Sequence, residues 1–138
     1  MKQVMKKIID ELNKEKIFYS IFGGVREDSL EGKLTREHKD IDFAIKRNDE
    51  YKVIKLISEL LPGYKIDTQT YGHKFFFTGE YKIEFFMLQE GFKIEFRDDK
   101  SFDFRPIEDY QAKGKIDDIE INIFNKEIAD EIKDKDKR

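Results

Sequence analysis

The chain has 138 residues, which is enough for one domain with a single hydrophobic core. Charged residues make up 41 % and the net charge is −3, an acidic balance that argues against general binding of nucleic acid. There is no cysteine, so disulfides and thiolate zinc sites are excluded. The N-terminal segment is charged throughout, and no apolar run approaches the roughly 20 residues of a membrane span. We therefore expect a cytoplasmic protein without a membrane partner.

The first half of the chain predicts an alternation of helices and strands. Val4, Ile8, Ile9 and Leu12 recur at helical spacing, which indicates an amphipathic helix at the N-terminus. The apolar patterns and breakers that follow predict these elements: helix 2–16, strand 17–22 with a turn at Gly23-Gly24, short helix 25–33, strand 40–45, and helix 49–61 stopped by Pro62-Gly63.

Beyond Gly63 the apolar residues recur with period two, which indicates short strands connected by hairpins. The predicted strands are 64–70, 73–79, 81–88, 92–98 and 117–124. Residues 125–138 predict a last helix, frayed from about residue 134. The fold class is therefore α+β: a single domain over 1–138 with one mixed β-sheet and helices packed on it.

Asp40 and Asp42 are the strongest candidates for chemistry. In a strand they point to the same face, while Ile41 and Phe43 point to the core. Two carboxylates on one face repel each other, and a hard cation such as Mg²⁺, which prefers oxygen ligands, offsets that repulsion. The alternative is a solvated strand with alternating acids.

The pair Gly23-Gly24 precedes these acids. Glycine lets the backbone approach a ligand closely, and the free N–H groups of a following helix suit phosphate. The alternative is an ordinary turn between a strand and a helix.

The stretch "GGVREDSLEGKLTREHKDID" resembles the lincosamide and aminoglycoside 2''-nucleotidyltransferases, whose motif is Gly-Gly-Trp-x-x-Asp-x-Leu-x-Gly-x-x-Thr-Arg-x-His-x-Asp-Ile-Asp. The chain departs from that motif at Val25, where the family usually has tryptophan. The residues that match it, without a gap, are Gly23, Gly24, Asp28, Leu30, Gly32, Thr35, Arg36, His38, Asp40, Ile41 and Asp42.

The resemblance implies a nucleotidyltransferase-like fold in which Asp40 and Asp42 bind Mg²⁺. It also implies that the segment from Ser20 to Gly24 lies against the phosphates of a nucleotide. A third acid from a later strand completes such sites. Glu84 is preferred for this role, because its hairpin is the first after the second long helix, and Glu95 in a similar strand is the alternative.

Arg36 of the motif has two interpretations, and the two histidines and Asp28 have one. Arg36 either binds a phosphate oxygen through its planar guanidinium or pairs with Glu37 or Asp28. His38, Asp28 and His73 are expected to be structural. The phenylalanines of "HKFFF" and "IEFF" are expected in the core rather than as a platform for a base.

The function implied is an enzyme that transfers a nucleoside monophosphate from a nucleoside triphosphate, with ATP expected, to a hydroxyl of a small molecule such as an antibiotic. In that reaction the third acid holds a metal on the acceptor side and takes the hydroxyl proton. Two alternatives remain: a non-catalytic nucleotide-binding or regulatory module of the same fold, favoured by the short chain, and a toxin–antitoxin component.

Overall fold

A computed structural model describes residues 1–67, 74–89, 93–95, 101–103 and 110–136 of the chain. The helices are α1 (Lys2–Lys14), α2 (Gly23–Ser29), α3 (Glu50–Leu60), which follows a 3₁₀ turn at Arg47–Asp49, and α4 (Lys126–Asp136). The strands are β1 (Ser20–Phe22), β2 (Asp40–Lys46), β3 (Lys65–Asp67), β4 (Lys74–Thr78), β5 (Lys82–Gln89), β6 (Lys93–Glu95), β7 (Ser101–Asp103), β8 (Gln111–Ile116) and β9 (Ile119–Phe124).

All of these strands belong to one mixed sheet. Its main path runs β3-β4-β5-β2-β1-β9-β8, and β6 and β7 extend from β5. The pairs β2–β5 and β1–β9 are parallel, and the remaining pairs are antiparallel. The predicted class, α+β with a mixed sheet and helices on it, is confirmed.

The two faces of the sheet differ in character. The larger core joins the buried side of α1 and α3, for example Leu12 and Ile57, to the sheet residues Phe43 and Phe85. On the opposite face, which also carries Asp42, a smaller apolar cluster includes Ile128 of α4. The alternation along β2 and β5 therefore anchors one side of each strand in the core and presents the other to a site.

Helix α1 ends earlier than the sequence predicts. Lys16 has a left-handed backbone (φ 56°), and the N–H of Ile17 donates to the carbonyl of Leu12 at 2.9 Å. This closes the helix in the manner of a C-terminal cap. Strand β1 then begins only at Ser20, although the strand was predicted from residue 17.

The prediction was wrong in two other places. Gly23-Gly24 do not form a turn outside the helices: both glycines belong to α2, which begins directly after β1 and ends at Ser29.

Strands β7 and β8 were missed, and Asp117-Asp118 form the hairpin connection between β8 and β9 rather than the start of a strand. The last helix of the chain, α4, runs from Lys126 to Asp136.

None of the helices in the described ranges is long and apolar enough to cross a membrane.

Candidate active site

Asp42 and Glu84 lie side by side on the sheet. Strands β2 and β5 are parallel and in register over seven pairs, and one of these pairs joins Asp42 to Glu84. Their carboxyl groups can hydrogen-bond when they share one proton, with Asp42 as the donor and Glu84 as the acceptor. Asp42 is half-buried and the Glu84 side chain is 14 % exposed, so the two acids form a close, partly desolvated pair.

Glu84 lies beside Asp42, in the position where the third acid was expected. Ile83, Phe85 and Met87 point into the larger core, which turns Glu84 to the face of Asp42. Glu95 ends strand β6, which pairs with the far end of β5 at Leu88 and Gln89. The backbone topology therefore favours Glu84 as the neighbour of the acid pair, and its role as a metal ligand stays a prediction.

Asp40 is the least enclosed of the three predicted acids. It lies two residues before Asp42 on the same face of β2, opposite Lys82, and its side chain is exposed. Within the described ranges, no three His, Asp or Glu side chains are gathered into a cluster that could hold a metal ion. The structure thus brings Asp42 and Glu84 together and leaves Asp40 beside them.

Lys82 is a site residue that the sequence analysis did not identify. Its Nζ lies 3.0 Å from Oε1 of Glu84 and 4.4 Å from the centre of the Phe76 ring. Its hydrogen bond to Glu84 raises the pKa of Lys82, against the opposing effect of burial. Burial acts to raise the pKa of Glu84, but its hydrogen bonds with Asp42 and Lys82 bring that pKa below its ordinary value. The spacing Lys-x-Glu in a strand was the signal for this contact, because alternate residues share a face.

Phe76 lies on the opposite face of β4 from Phe75 and Phe77. Phe75 and Phe77 are buried in the larger core as expected, whereas Phe76 is half-buried and pairs in register with Glu84. This ring therefore forms part of the floor of the acid site, under Lys82.

Gly23 fits tightly against the carboxylate of Asp42. It has a left-handed backbone (φ 76°), and a Cβ placed on it would collide with Oδ2 of Asp42. Only glycine combines this conformation with this contact. The group that approaches Gly23 is thus an acid of the chain itself, and a contact of Gly23 with nucleotide phosphates stays a prediction.

Gly24 lies against side chains of the loop, residues 30–39, that leads from α2 to Asp40. A Cβ on Gly24 would lie 2.7 Å from Nη2 of Arg36 and 2.9 Å from Cε1 of His38. Arg36 is exposed and forms no ion pair with the residues that the structure describes, so the expected pairing with Glu37 or Asp28 is absent there. Its guanidinium is therefore available to an anion.

Ser20, the remaining predicted nucleotide-binding residue, is fully buried in β1. Its hydroxyl has no hydrogen-bond partner within the described part of the chain. The burial counts against a direct contact between Ser20 and a phosphate in this conformation.

Asp28 organises the loop that leads to the acids. It accepts hydrogen bonds from the backbone N–H of Thr35 (2.9 Å) and from the Thr35 hydroxyl (2.5 Å). Nε2 of His38 lies 2.5 Å from the same carboxylate, and both Asp28 and His38 are buried. Burial acts to raise the pKa of Asp28, but these hydrogen bonds outweigh it and lower the pKa to about 2. The structural roles expected for Asp28 and His38 are confirmed, with Thr35 and His38 as the partners in place of Arg36. His73 lies outside the described residues.

A cavity of about 850 Å³ opens beside this loop. It is lined by residues 34–39 and by Met1, Glu80 and Tyr81, and it therefore includes Arg36 but not Asp42 or Glu84. Its size is in the range of small-molecule sites.

The residues present fit a divalent cation by the chemistry of their donors. Carboxylate oxygens are the ligands that Mg²⁺ prefers. Glu84 already forms an ion pair with the ammonium of Lys82, so its carboxylate can bind a cation. Two acids this close repel each other when both are ionised, so a divalent cation that takes the place of the shared proton would stabilise the ionised pair.

Comparison with known proteins places the chain in a family. The sequence model of aminoglycoside-2''-adenylyltransferase matches residues 4–131. Comparison with curated protein sequences gives no match.

Three solved structures have the same fold. The lincosamide antibiotic adenylyltransferase LnuA, in a lincomycin-bound crystal structure, is 23 % identical with a TM-score of 0.72, over 94 % of this chain and 83 % of that chain. ANT(2'')-Ia in complex with adenylyl-2''-tobramycin is 18 % identical with a TM-score of 0.66, over 91 % and 70 %. A Thermotoga maritima protein assigned as a nucleotidyltransferase is 19 % identical with a TM-score of 0.65, over 96 % and 82 %.

Proposed function

The chain belongs to the aminoglycoside-2''-adenylyltransferase family, and we propose that it transfers a nucleoside monophosphate from a nucleoside triphosphate to a hydroxyl group of a small-molecule antibiotic. The observation that carries the proposal is the pair Asp42–Glu84 on adjacent parallel strands, bordered by Gly23 and the exposed Arg36. The family membership supports the reaction class, and the pair offers the carboxylates that we assign to metal binding.

The reaction requires little covalent participation from the protein. The acceptor hydroxyl oxygen bonds to the α-phosphorus, the bond from that phosphorus to the pyrophosphate oxygen breaks, and the hydroxyl proton passes to a base. Positioning of the reactants and compensation of charge provide most of the rate enhancement in phosphoryl transfer.

We assign Asp40, Asp42 and Glu84 as the residues that hold Mg²⁺. The ion would neutralise charge on the phosphate oxygens as the leaving group departs. Asp42 and Glu84 are already adjacent, and Asp40 lies on the same face two residues away. Glu84 is also the group we assign to accept the hydroxyl proton.

Arg36 is the residue that we assign to the phosphates. It is exposed, lies over Gly24 and has no ion-pair partner in the described ranges. A guanidinium presents a planar pair of donors that matches two phosphate oxygens. ATP is the proposed donor, because the family is described by adenylyl transfer.

The acceptor is proposed by analogy. LnuA binds lincomycin, and ANT(2'')-Ia forms a complex with adenylyl-2''-tobramycin. We therefore expect a hydroxyl of a lincosamide or an aminoglycoside as the nucleophile here.

The test is a product screen with the full chain. Each of the four NTPs is incubated with Mg²⁺ and with lincomycin, tobramycin or a pool of small-molecule hydroxyl compounds, and products are detected by mass spectrometry. The expected result is one acceptor that gains the mass of a nucleoside monophosphate, strongest with ATP, together with release of pyrophosphate.

Two variants make the screen specific. Asp42→Asn should give no product, whereas Asp118→Asn, which changes an exposed acid near the β8–β9 connection, should behave as the wild type. Tight binding of nucleotide without product on any acceptor would overturn the transferase proposal and favour a binding module.

A further inference from the structure

The Lys82 ammonium makes two contacts on the acid face. It lies two residues before Glu84 on β5, and its Nζ contacts Oε1 of that acid at 3.0 Å. The same ammonium lies over the ring of Phe76, 4.4 Å from its centre. Along the neighbouring strand its register partner is Asp40. These two contacts fix the ammonium of a side chain that is 38 % exposed.

The position of the ammonium matters because of the charges around it. Glu84 and Asp42 are in hydrogen-bonded contact, and the Glu84 side chain is only 14 % exposed, so the charges are poorly screened by water. Lys82 supplies a positive charge in direct contact with Glu84, and the charge of Lys74 also acts to lower the pKa of Glu84. A divalent ion that binds Glu84 must share this carboxylate with the ammonium or displace it.

We propose that Lys82 is an internal counter-cation of the acid site, which competes with the divalent metal for Glu84 and thereby lowers the affinity of the site for metal. This inference rests on the proposed function, because it assumes that Asp42 and Glu84 are metal ligands. In the metal-free protein Lys82 keeps the two acids together. When metal binds, the ammonium loses Glu84 as its acceptor and remains charged at the edge of the site.

The competition distinguishes this role from that of an ordinary ion pair. A lysine that only stabilises the fold would change the melting temperature when removed, and metal affinity would stay constant. A competing lysine gives the opposite sign for the two effects: its removal destabilises the metal-free protein and strengthens metal binding. Like charges close to a divalent ion weaken its binding, so the direction follows from electrostatics.

The experiment titrates Mn²⁺ alone, without nucleotide, into the full chain at constant ionic strength, with calorimetry and electron paramagnetic resonance as readouts. Lys82→Met removes the charge and keeps a side chain that can lie on Phe76. We expect its Kd for Mn²⁺ to fall about tenfold, the factor that corresponds to losing one competing charge-assisted hydrogen bond. Lys82→Arg restores the charge and should return the Kd towards the wild-type value.

The matched control is Lys113→Met. Lys113 also pairs with a glutamate, Glu120 at 3.6 Å, but it lies on β8 at the opposite end of the sheet path from β5. This variant changes the net charge by the same amount and should leave the Kd for Mn²⁺ unchanged. Thermal melting provides a second readout: Mn²⁺ should raise the melting temperature of Lys82→Met more than that of the wild type.

An unchanged or higher Kd in Lys82→Met would overturn the inference, and so would undetectable binding in both proteins, since removing the competitor should bring binding into range. Lys82→Gln serves as the test protein if Lys82→Met does not fold. Asp42→Asn separates this inference from the proposed function. If Asp42→Asn binds Mn²⁺ as the wild type does, the metal site itself is wrong; if it loses binding while Lys82→Met is unchanged, only the role of Lys82 fails.

Discussion

Phe43 and Phe85 stack on each other with ring centres 5.1 Å apart, one residue beyond the Asp42–Glu84 pair and on the opposite face of the sheet. Phe75 of β4 continues this stack at 5.1 Å from Phe85. Because a slip of one residue would turn these rings out of the core, the stack fixes the register of β2 and β5. The apolar face thereby determines which acids meet on the polar face.

Asp42→Asn should abolish transfer and leave the fold intact. The substitution keeps the volume of the side chain and removes the charge that the reaction needs, so we expect turnover to fall about a hundredfold or more. The metal-free protein should not be destabilised, because the amide N–H of asparagine can donate to Glu84 in place of the shared proton. Steady-state assays and thermal melts measure both effects, with Asp118→Asn as control. Turnover near that of the wild type would reject the assignment of Asp42.

The two glycines of α2 should not tolerate a side chain without loss of stability. Gly23→Ala forces alanine into a left-handed conformation, which costs about 1–2 kcal/mol, and pushes against the Asp42 carboxylate. Gly24→Ala crowds the ring of His38, which is buried and held by Asp28, and overpacking of this kind costs about 1–3 kcal/mol. Chemical denaturation measures the loss of unfolding free energy.

Gly63→Ala is the control for both glycines, since a Cβ there meets nothing within 4 Å. Gly24→Val should lower both nucleotide binding and stability, because the larger side chain also meets the ring of His38. Wild-type stability in Gly23→Ala or Gly24→Ala would show that the neighbouring side chains yield without cost.

Arg36→Gln should weaken nucleotide binding without changing the melting temperature. The side chain is exposed, so its loss removes little packing. A charge-assisted hydrogen bond to phosphate is worth about 1.5–3 kcal/mol, which corresponds to a rise in Kd of tenfold or more. Arg36→Lys should give an intermediate Kd, because it keeps the charge and loses the planar pair of donors. Calorimetric titration with ATP checks this, with Lys33→Gln in the same loop as control. An unchanged Kd in Arg36→Gln would remove Arg36 from the site.

The sequence alone was sufficient to predict an element or a site residue where the local pattern and the tertiary environment agree. Alternation along 40–45 predicted that Asp40 and Asp42 share a face, and the order of hairpins favoured Glu84 over Glu95. Strand β8 was missed because Gln111, Lys113 and Gly114 have little preference for strands. Its formation depends on pairing with β9 and on Gly114, which lies close against Ser29 of α2. Such a requirement cannot be recognised before the partner elements are placed.

The side-chain contacts of the site were predicted less well than its backbone. Nothing in the spacing of Asp28, Thr35 and His38 indicated that the first would bind the other two. Arg36 was an equally reasonable partner by charge, and the choice depends on how the loop after α2 folds back over Gly24. The contact of Lys82 with Glu84 could have been predicted from strand alternation, because Lys82 is two residues before Glu84 and therefore shares its face.

Asp28 should make the stability of the protein depend on pH in the acidic range. Its pKa is lowered from 3.8 to about 2 in the folded protein. A lowered folded-state pKa means that the contribution to stability is complete above the unfolded value and is lost as pH falls through the folded value. We therefore expect the unfolding free energy to decrease as pH falls from about 4 towards about 2, in the window between these two pKa values.

Asp28→Asn tests this origin. The amide cannot accept from both Thr35 and His38 as the carboxylate does, so stability at neutral pH should fall by about 1–3 kcal/mol. The same variant should lose part of the acid-dependent decrease, because its side chain does not titrate. Urea denaturation at a series of pH values, compared with Asp118→Asn, measures both effects. A wild-type slope of stability against pH in Asp28→Asn would assign the acid sensitivity to other carboxylates, with Glu84, whose pKa is also lowered, as the next to test.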